Sequence, residues 1–463
     1  MGGPQTSAGE RPEGICREGA GVPGSEAMRT RLNRLSTLLR SAARTAFAAA
    51  LCSAASAADW PQWRGPHRNG SSDETGWCAD WSRSPPRPLW EAEVGDGVSQ
   101  PSVAGGRVYV VGLVEGAKDI VQCLDIDTGQ PLWRATVPSV SAESESLGNS
   151  ICGPVATPAV DGGRLFTYHR THELRCWGVD GGEPLWTVDL LKQYGVCSSK
   201  RMIYWTPGNS PLALGDTVIV SGYGATGAVA LDARTGRLVW RAAGADDRDY
   251  DGPRPQKGGS NVWTSPTAAT VGGRLCILLN LNRDIVCLDA ATGEEVWRHI
   301  ESRWPGPACV GDVLAVGDEL VAPGYMRGEG EGRVLDHRGR LVRRLPLLLT
   351  QTGSPALDRG WLLVPRLAVE VATGTAVRTA NGEPIVVDGK ILSLGPSTLT
   401  LGERGDGHYR LLGSVPVKAD RWAGPVFSSG RILFRSSRTR LACWDLRAAP
   451  PDEAPAAGPG AGT

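Results

Sequence analysis

The stretch LDIDTGQPLWR at 124–134 returns three times: as WGVDGGEPLWT at 177–187, LDARTGRLVWR at 231–241 and LDAATGEEVWR at 288–298. The tryptophans of these copies, Trp133, Trp186, Trp240 and Trp297, are spaced 53, 54 and 57 residues apart. A period of this length marks a repeat array, in which each unit buries its faces against its neighbours. Ahead of every copy stands a strand, a glycine turn and another strand: PSVAGGRVYVVG (101–112), PAVDGGRLFTYH (158–169), PLALGDTVIVSG (211–222) and PTAATVGGRLCILL (266–279). One unit therefore reads as four strands. In 101–137 they are SVA, RVYVVG, VQCLD and PLWRATV, with Gly105-Gly106 and Asp127-Thr128-Gly129 at two corners. Glycine corners match the twist of antiparallel hairpins, and four such strands make a propeller blade.

Later copies decay. LDHRGRLVR (335–343) has lost a turn residue and puts Arg343 where tryptophan is expected; VEVATGTAVR (369–378) puts Arg378 there. Residues 383–415 keep only the strand pattern, and 424–448 supply three strands. The missing fourth strand stands at the other end of the chain, where PLWEAEV (88–94) matches PLWRATV (131–137). The strand of Trp90 is thus predicted to complete the last blade and close the ring, which removes an open sheet edge. The expected fold is all-β: a single eight-bladed propeller of four-stranded antiparallel blades over residues 59–447.

Composition agrees. Gly 61 and Trp 16 are abundant while Phe 4 and Met 4 are scarce, a usage that suits tight corners and indole packing between units. Lys+Arg 49 balances Asp+Glu 49, so no global field draws nucleic acid or an anionic membrane. From Met28 the order basic (MRTRLNRLSTLLRSAAR), apolar and small (TAFAAALCSAASA), then Asp59, is that of a secretory signal. Residues 1–27 read as an extension ahead of the signal at 28–58, and 448–463 as a disordered Pro/Ala/Gly tail. The apolar run is short of the ~20 residues of a transmembrane helix, so a periplasmic or secreted monomer without a membrane span is expected. Of eleven cysteines, Cys123, Cys176, Cys287 and Cys443 recur at one repeat position that Ala230 also fills. They read as small core packers, whereas Cys78, Cys152, Cys197 and Cys309 lie near loops and have no assignable pairing.

The string Asp-x-x-Thr-Gly-x-x-x-Trp at 125–133, 232–240 and 289–297 resembles the tryptophan-docking motif of the pyrroloquinoline-quinone (PQQ)-like propellers. DWPQWRGPHRNG (59–70) resembles the opening of many exported members. The resemblance spans residues 59 to about 447. It implies that Trp90, Trp133, Trp186, Trp240 and Trp297 dock one blade on the next and are not cofactor platforms. Relatives include quinone-dependent dehydrogenases and a non-catalytic propeller subunit of the outer-membrane barrel-assembly machinery.

Long insertions at 138–153, 189–209 and 243–263 all join blades and so share one face, opposite the Thr-Gly corners. They carry Tyr194, Arg201, Tyr204, Trp205, Tyr250, Asn261 and Trp263, a mixed aromatic and polar set suited to contact with a partner. ADDRDYDG (245–252) begins like a calcium loop, but Gly258 stands where a bidentate glutamate is needed, so a solvated acidic turn is expected. His169, His172 and Glu173 offer metal-ligand types, yet a hairpin does not aim both imidazoles to one side; a solvent-facing loop is expected and no metal. An adjacent cysteine pair, CxxCH, serine-nucleophile, P-loop and dinucleotide motifs are absent. The sequence therefore points to an exported, non-enzymatic scaffold that binds a protein or cell-envelope component through the loop face, with no cofactor. The alternatives are a PQQ- and calcium-dependent oxidoreductase with a divergent site, and a glycan-binding module.

Overall fold

The computed structural model describes residues 59–448, apart from 116, 140–152, 197–207, 223–225, 245–260, 263, 282–283, 301–307, 310, 327–328, 347–354, 406 and 421. The expected signal and nearly all of the expected tail lie outside the described residues.

Eight four-stranded antiparallel sheets follow one another as the blades of a propeller. Blades 1 to 7 cover 102–138, 159–189, 212–243, 267–300, 314–346, 356–378 and 383–416, their strands paired in chain order. Blade 8 takes three strands from 426–445 and its outermost from Arg87–Glu93, which pairs antiparallel with Arg440–Asp445. The predicted ring closure is therefore present. The short first strands are innermost, those of neighbouring blades running side by side.

Alternation explains why these strands form and stack. In blade 3, Val218, Val220, Val229 and Leu231 pack against Phe166, Leu174 and Cys176 of blade 2. Between them Ile219, Ala228 and Ala230 point the other way, onto Ile277, Leu279 and Val286 of blade 4. A sheet covered on both faces must be apolar on both, which is why the middle strands read as near-continuous apolar runs. Only the outer fourth strand alternates, Leu132 being 51% exposed beside buried Trp133.

The Asp-x-x-Thr-Gly corner is a closed local device. The Asp125 carboxylate accepts from the N–H groups of Asp127 (3.1 Å) and Thr128 (2.9 Å) and from the Thr128 hydroxyl (2.8 Å). Gly129 follows at φ +69°, and a β-bulge then brings Trp133 opposite Cys123. Trp90, Trp186, Trp240 and Trp297 likewise face Cys443, Cys176, Ala230 and Cys287, so the recurring small residue makes room for an indole across the ladder. From there each tryptophan reaches the next blade. Its N–H donates to a carbonyl one residue past the corner aspartate's position: Ile126, Val179, Ala233, Ala290 and His337, at 2.9 to 3.1 Å. The ring lies on the corner glycine of that blade. A Cβ added to Gly129, Gly182, Gly236, Gly293 or Gly339 would stand 2.4 to 2.9 Å from the indole.

The decayed repeats solve the same contact differently. Arg343 holds the tryptophan's register, opposite Val334. Its guanidinium donates to the Val371 carbonyl (2.6 Å) and forms a two-pronged pair with Glu319 (2.7 and 2.6 Å). Arg378 does not take the expected place. Blade 6 has lost the bulge, so Val377 stands opposite Ala368 and Arg378 falls one residue late, exposed opposite Leu367. In blade 7, Gly413 occupies the site, and Trp81 from the N-terminal segment lies on it. The Cys78 N–H donates to the Leu446 carbonyl (2.7 Å), the counterpart of Ile126.

Candidate functional site

Most of the loop face lies outside the described residues, including Arg201, Tyr204, Trp205, Tyr250 and Trp263, the acidic turn at 245–252, and Cys152 and Cys197. Tyr194 ends the short helix Leu190–Tyr194, which Asp189 caps through the Lys192 N–H. It is partly buried against the core between blades 2 and 3, and its carbonyl accepts from the Thr226 hydroxyl at 2.7 Å. Asn261 lies in the two-residue strand Asn261–Val262, paired parallel with Ala308–Cys309. The described part of the structure therefore does not gather these residues into one site.

The histidine pair is not the solvent-facing loop expected from the sequence: His169 is 0% and His172 7% exposed. The His172 N–H donates to the His169 carbonyl, folding the loop inward, and burial holds the His172 imidazole below its ordinary pKa. The Trp177 indole donates to the Thr167 hydroxyl oxygen (2.8 Å), which is also hydrogen-bonded to His169 Nε2 (2.7 Å). The carboxylate of Asp119 in blade 1 accepts from His169 Nδ1–H (2.9 Å). The order hydroxyl, imidazole, carboxylate is that of a nucleophile relay. Yet every member is at most 1% exposed, and a hydroxyl that meets no substrate is not a nucleophile. The chain of bonds ties blade 2 to blade 1. Among the described residues no three His, Cys, Asp or Glu side chains form a metal-holding group. Cys78, Cys123, Cys176, Cys276, Cys287 and Cys443 are free thiols. Burial pushes Cys123 up to about 11 and Cys176 and Cys443 up to about 12, which keeps them protonated and inert.

A more organised set of polar groups surrounds the propeller axis, at the start of the first strands. The Thr157 N–H donates to the Ser210 hydroxyl (2.9 Å), the Ser210 N–H to the Ser265 hydroxyl (2.9 Å), and the Ser265 N–H to the Asp312 carboxylate (2.6 Å). This girdle runs from blade 2 to blade 5, each link made by the residue two positions before the first strand. Its signal in the sequence is Thr-Pro or Ser-Pro at 157–158, 210–211 and 265–266. Each reads as turn chemistry in isolation, so the girdle shows itself only when the blades are arranged around the axis.

The N-terminal stretch DWPQWRGPHRNG meets this girdle from inside. Trp60 pairs with Val103 of blade 1, and the Pro61 carbonyl accepts from Val160 of blade 2. The Trp63 indole donates to the second Asp312 oxygen (2.6 Å), and Arg68 to the carbonyls of Pro211 (3.0 Å) and Ser210 (3.3 Å). Arg64 reaches the Pro384 carbonyl of blade 7 (3.5 Å). The Asn69 carbonyl accepts from Leu357 of blade 6, and Ser71–Ser72 runs parallel to Val386 and Val387. Finally Glu74 accepts from the N–H groups of Ser429 and Gly430 in blade 8. Two tight turns fold the segment on itself: Gly65, at φ +82°, presses its bare Cα onto the Trp60 ring, and Gly70, at φ +76°, lies over the Arg64 guanidinium. Trp60, Arg64 and Arg68 are 1 to 4% exposed. Burial pushes Arg68 down to about 10, with Asp312 opposing the shift, so it stays charged at neutral pH. The quinone of the dehydrogenase relatives is a flat fused-ring polycarboxylate. It does not fit where this segment already lies, with Trp60, Arg64 and Arg68 buried there and the acidic groups Asp312 and Glu383 beside the guanidinium groups.

Comparison with known proteins agrees with the repeat geometry. A curated relative, the outer membrane protein assembly factor BamB of Burkholderia pseudomallei (strain K96243), is 25% identical over 261 residues, 50% of this chain. The chain spans 64% of that relative's length. Among solved structures, BamB from Moraxella catarrhalis superposes with a TM-score of 0.54 at 16% identity, over 79% of this chain and 99% of that one. Quinohemoprotein alcohol dehydrogenase from Comamonas testosteroni gives 0.62 at 14% identity, over 85% and 81%. At such identities the two structures speak for the fold alone. The family model described as PQQ_2, outer membrane protein assembly factor BamB, matches residues 71–151, 117–299 and 225–385, and the chain belongs to that family.

Proposed function

We propose that the protein is an exported, non-enzymatic propeller scaffold that binds a protein of the cell envelope through the loop face carrying the long inter-blade insertions. The observation that carries this reading is the family match, which runs through the repeats of blades 1 to 6 and bears the description of an outer-membrane assembly factor. The chemistry of the described residues supports it: the one hydroxyl–imidazole–carboxylate chain found among them is sealed between blades, and burial holds the thiols of Cys123, Cys176 and Cys443 protonated. In this reading the protein works in the periplasm. No helix among the described residues is long and apolar enough to cross a membrane.

Calorimetric titration of the mature protein with the soluble domains of its host's barrel-assembly proteins tests the proposal. Micromolar binding that falls at least tenfold in Trp205→Ala or Trp263→Ala is expected. No binding to any of them, together with stoichiometric quinone uptake and dye-linked alcohol oxidation, would replace it with the oxidoreductase reading, which the dehydrogenase fold likeness keeps in view.

A further inference from the structure

We infer that residues 59–72 are a self-inserted plug, a segment of the chain that serves as the permanent occupant of the propeller channel and leaves that channel closed to a quinone. The inference rests on the channel geometry and stands apart from the loop-face reading above.

The path of the segment carries it. The segment starts at the Thr-Gly face, where the Asp59 carboxylate accepts from the Gly105 N–H. Beside the inner ends of the blades it reaches the girdle at the far end of the first strands, where Arg68 and Trp63 are bonded. It then returns along Val386–Val387 to Glu74 at the corner of blade 8. Between entry and exit it bonds directly to blades 1, 2, 3, 6 and 7 and to Asp312 at the entry of blade 5. Blade 4 is reached through Ser265 and the same Asp312. Only afterwards does the chain leave the axis to form the outer strand Arg87–Glu93. The ring is thus closed twice by one end of the chain, inside by the plug and outside by the strand.

The segment's internal geometry shows that this is a built fit. Arg64 and Arg68 hold φ of +62° and +51°, a region that costs a non-glycine residue about 1 kcal/mol or more and persists where surrounding contacts over-determine it. Here those contacts are the Pro384 carbonyl of blade 7 for Arg64 and the Ser210 and Pro211 carbonyls at the entry of blade 3 for Arg68. Asp312 is the shared element: one oxygen ends the girdle and the other holds Trp63, so the plug and the hydrogen-bonded girdle depend on the same side chain. The bonds from Trp63 and Arg64 reach blades 5 and 7, on the arc whose blades send out no docking tryptophan of their own.

Two measurements on the full mature chain decide the matter. In hydrogen exchange, the amides of Thr157, Ser210 and Ser265 are expected to speed up at least tenfold in Trp63→Ala/Arg68→Ala, while the Asp232 amide in a blade corner stays unchanged. Should the double variant fail to fold, Trp63→Phe keeps an aromatic ring and removes the N–H to Asp312; the Ser265 amide should then respond most. Unchanged exchange in a folded plug variant overturns the inference. In equilibrium dialysis with PQQ and Ca²⁺, wild-type protein is expected to retain no quinone at micromolar concentration. Stoichiometric retention that is lost in a variant lining the channel, such as Thr157→Trp, overturns it as well.

Discussion

The two arcs of this ring have nearly the same backbone and different joints. From blade 8 through blade 4, every blade sends a tryptophan onto the glycine corner of the next and an indole N–H onto its carbonyl. From blade 5 to blade 7 the joints are an arginine fork, a register without the bulge, and a glycine covered by Trp81 from a distant part of the chain. The difference teaches that the blade is set by strand alternation and corner turns, which both arcs share. The tryptophan is one of several ways to fasten blades: Arg343 takes the Val371 carbonyl in its place, and the Cys78 N–H takes that of Leu446.

The largest expected effect lies in the first arc. Trp133→Ala or Trp240→Ala removes a large side chain of low exposure and its hydrogen bond, and should cost about 3–5 kcal/mol in denaturant unfolding. A loss below about 1 kcal/mol would show that the joint contributes little and would dissolve the contrast between the arcs. Next comes Gly293→Ala. The position has φ +72° and a Cβ there would stand 2.5 Å from the Trp240 ring, so a loss of about 1–3 kcal/mol is expected. The matched change on the other arc, Gly374→Ala, meets only Leu345 at 3.7 Å and should cost about 1 kcal/mol, from the backbone alone. Equal losses at the two glycines would contradict the geometry.

Arg343→Met keeps the stem and deletes the fork to Val371 and Glu319, with about 1–2 kcal/mol of loss expected. The smallest effect belongs to the corners. Hydrogen bonds from the Thr128 and Thr235 hydroxyls, and from the Thr292 backbone N–H, hold Asp125, Asp232 and Asp289 below the usual carboxylate range. A carboxyl depressed in the folded state stabilises at pH above its unfolded value, near 4, and that stability is lost as the pH falls through the folded value. Thr128→Val should therefore weaken the protein at pH 7, with a deficit that shrinks as the pH falls through the folded value. A variant whose deficit grows on acidification would refute the assignment.

Much of the fold was legible because its information is local. Four strands, the glycine corners and the Trp90 closure follow from alternation and a repeated string, and the recurring Cys or Ala follows from facing an indole across one ladder. The misreadings came where a residue's setting is made by another blade. His169 and His172 look like loop residues by spacing, but Asp119 of blade 1 draws His169 inside. Arg378 fills the tryptophan's place by count and loses it by register, because a bulge depends on pairing geometry and leaves no residue type behind.

What the sequence alone determined is the blade, its repetition eight times and the strand that seals the last sheet. Each of these rests on contacts within one strand-and-turn unit or on two copies of the same string. Only the tertiary structure decided what the opening DWPQWRGPHRNG is for. Its partners, from Val103 to Gly430, are scattered over the whole chain and come together because the ring brings the start of every blade to one axis. A stretch that looks like an irregular leader to the first strand is, once that axis exists, the side chains that fill it.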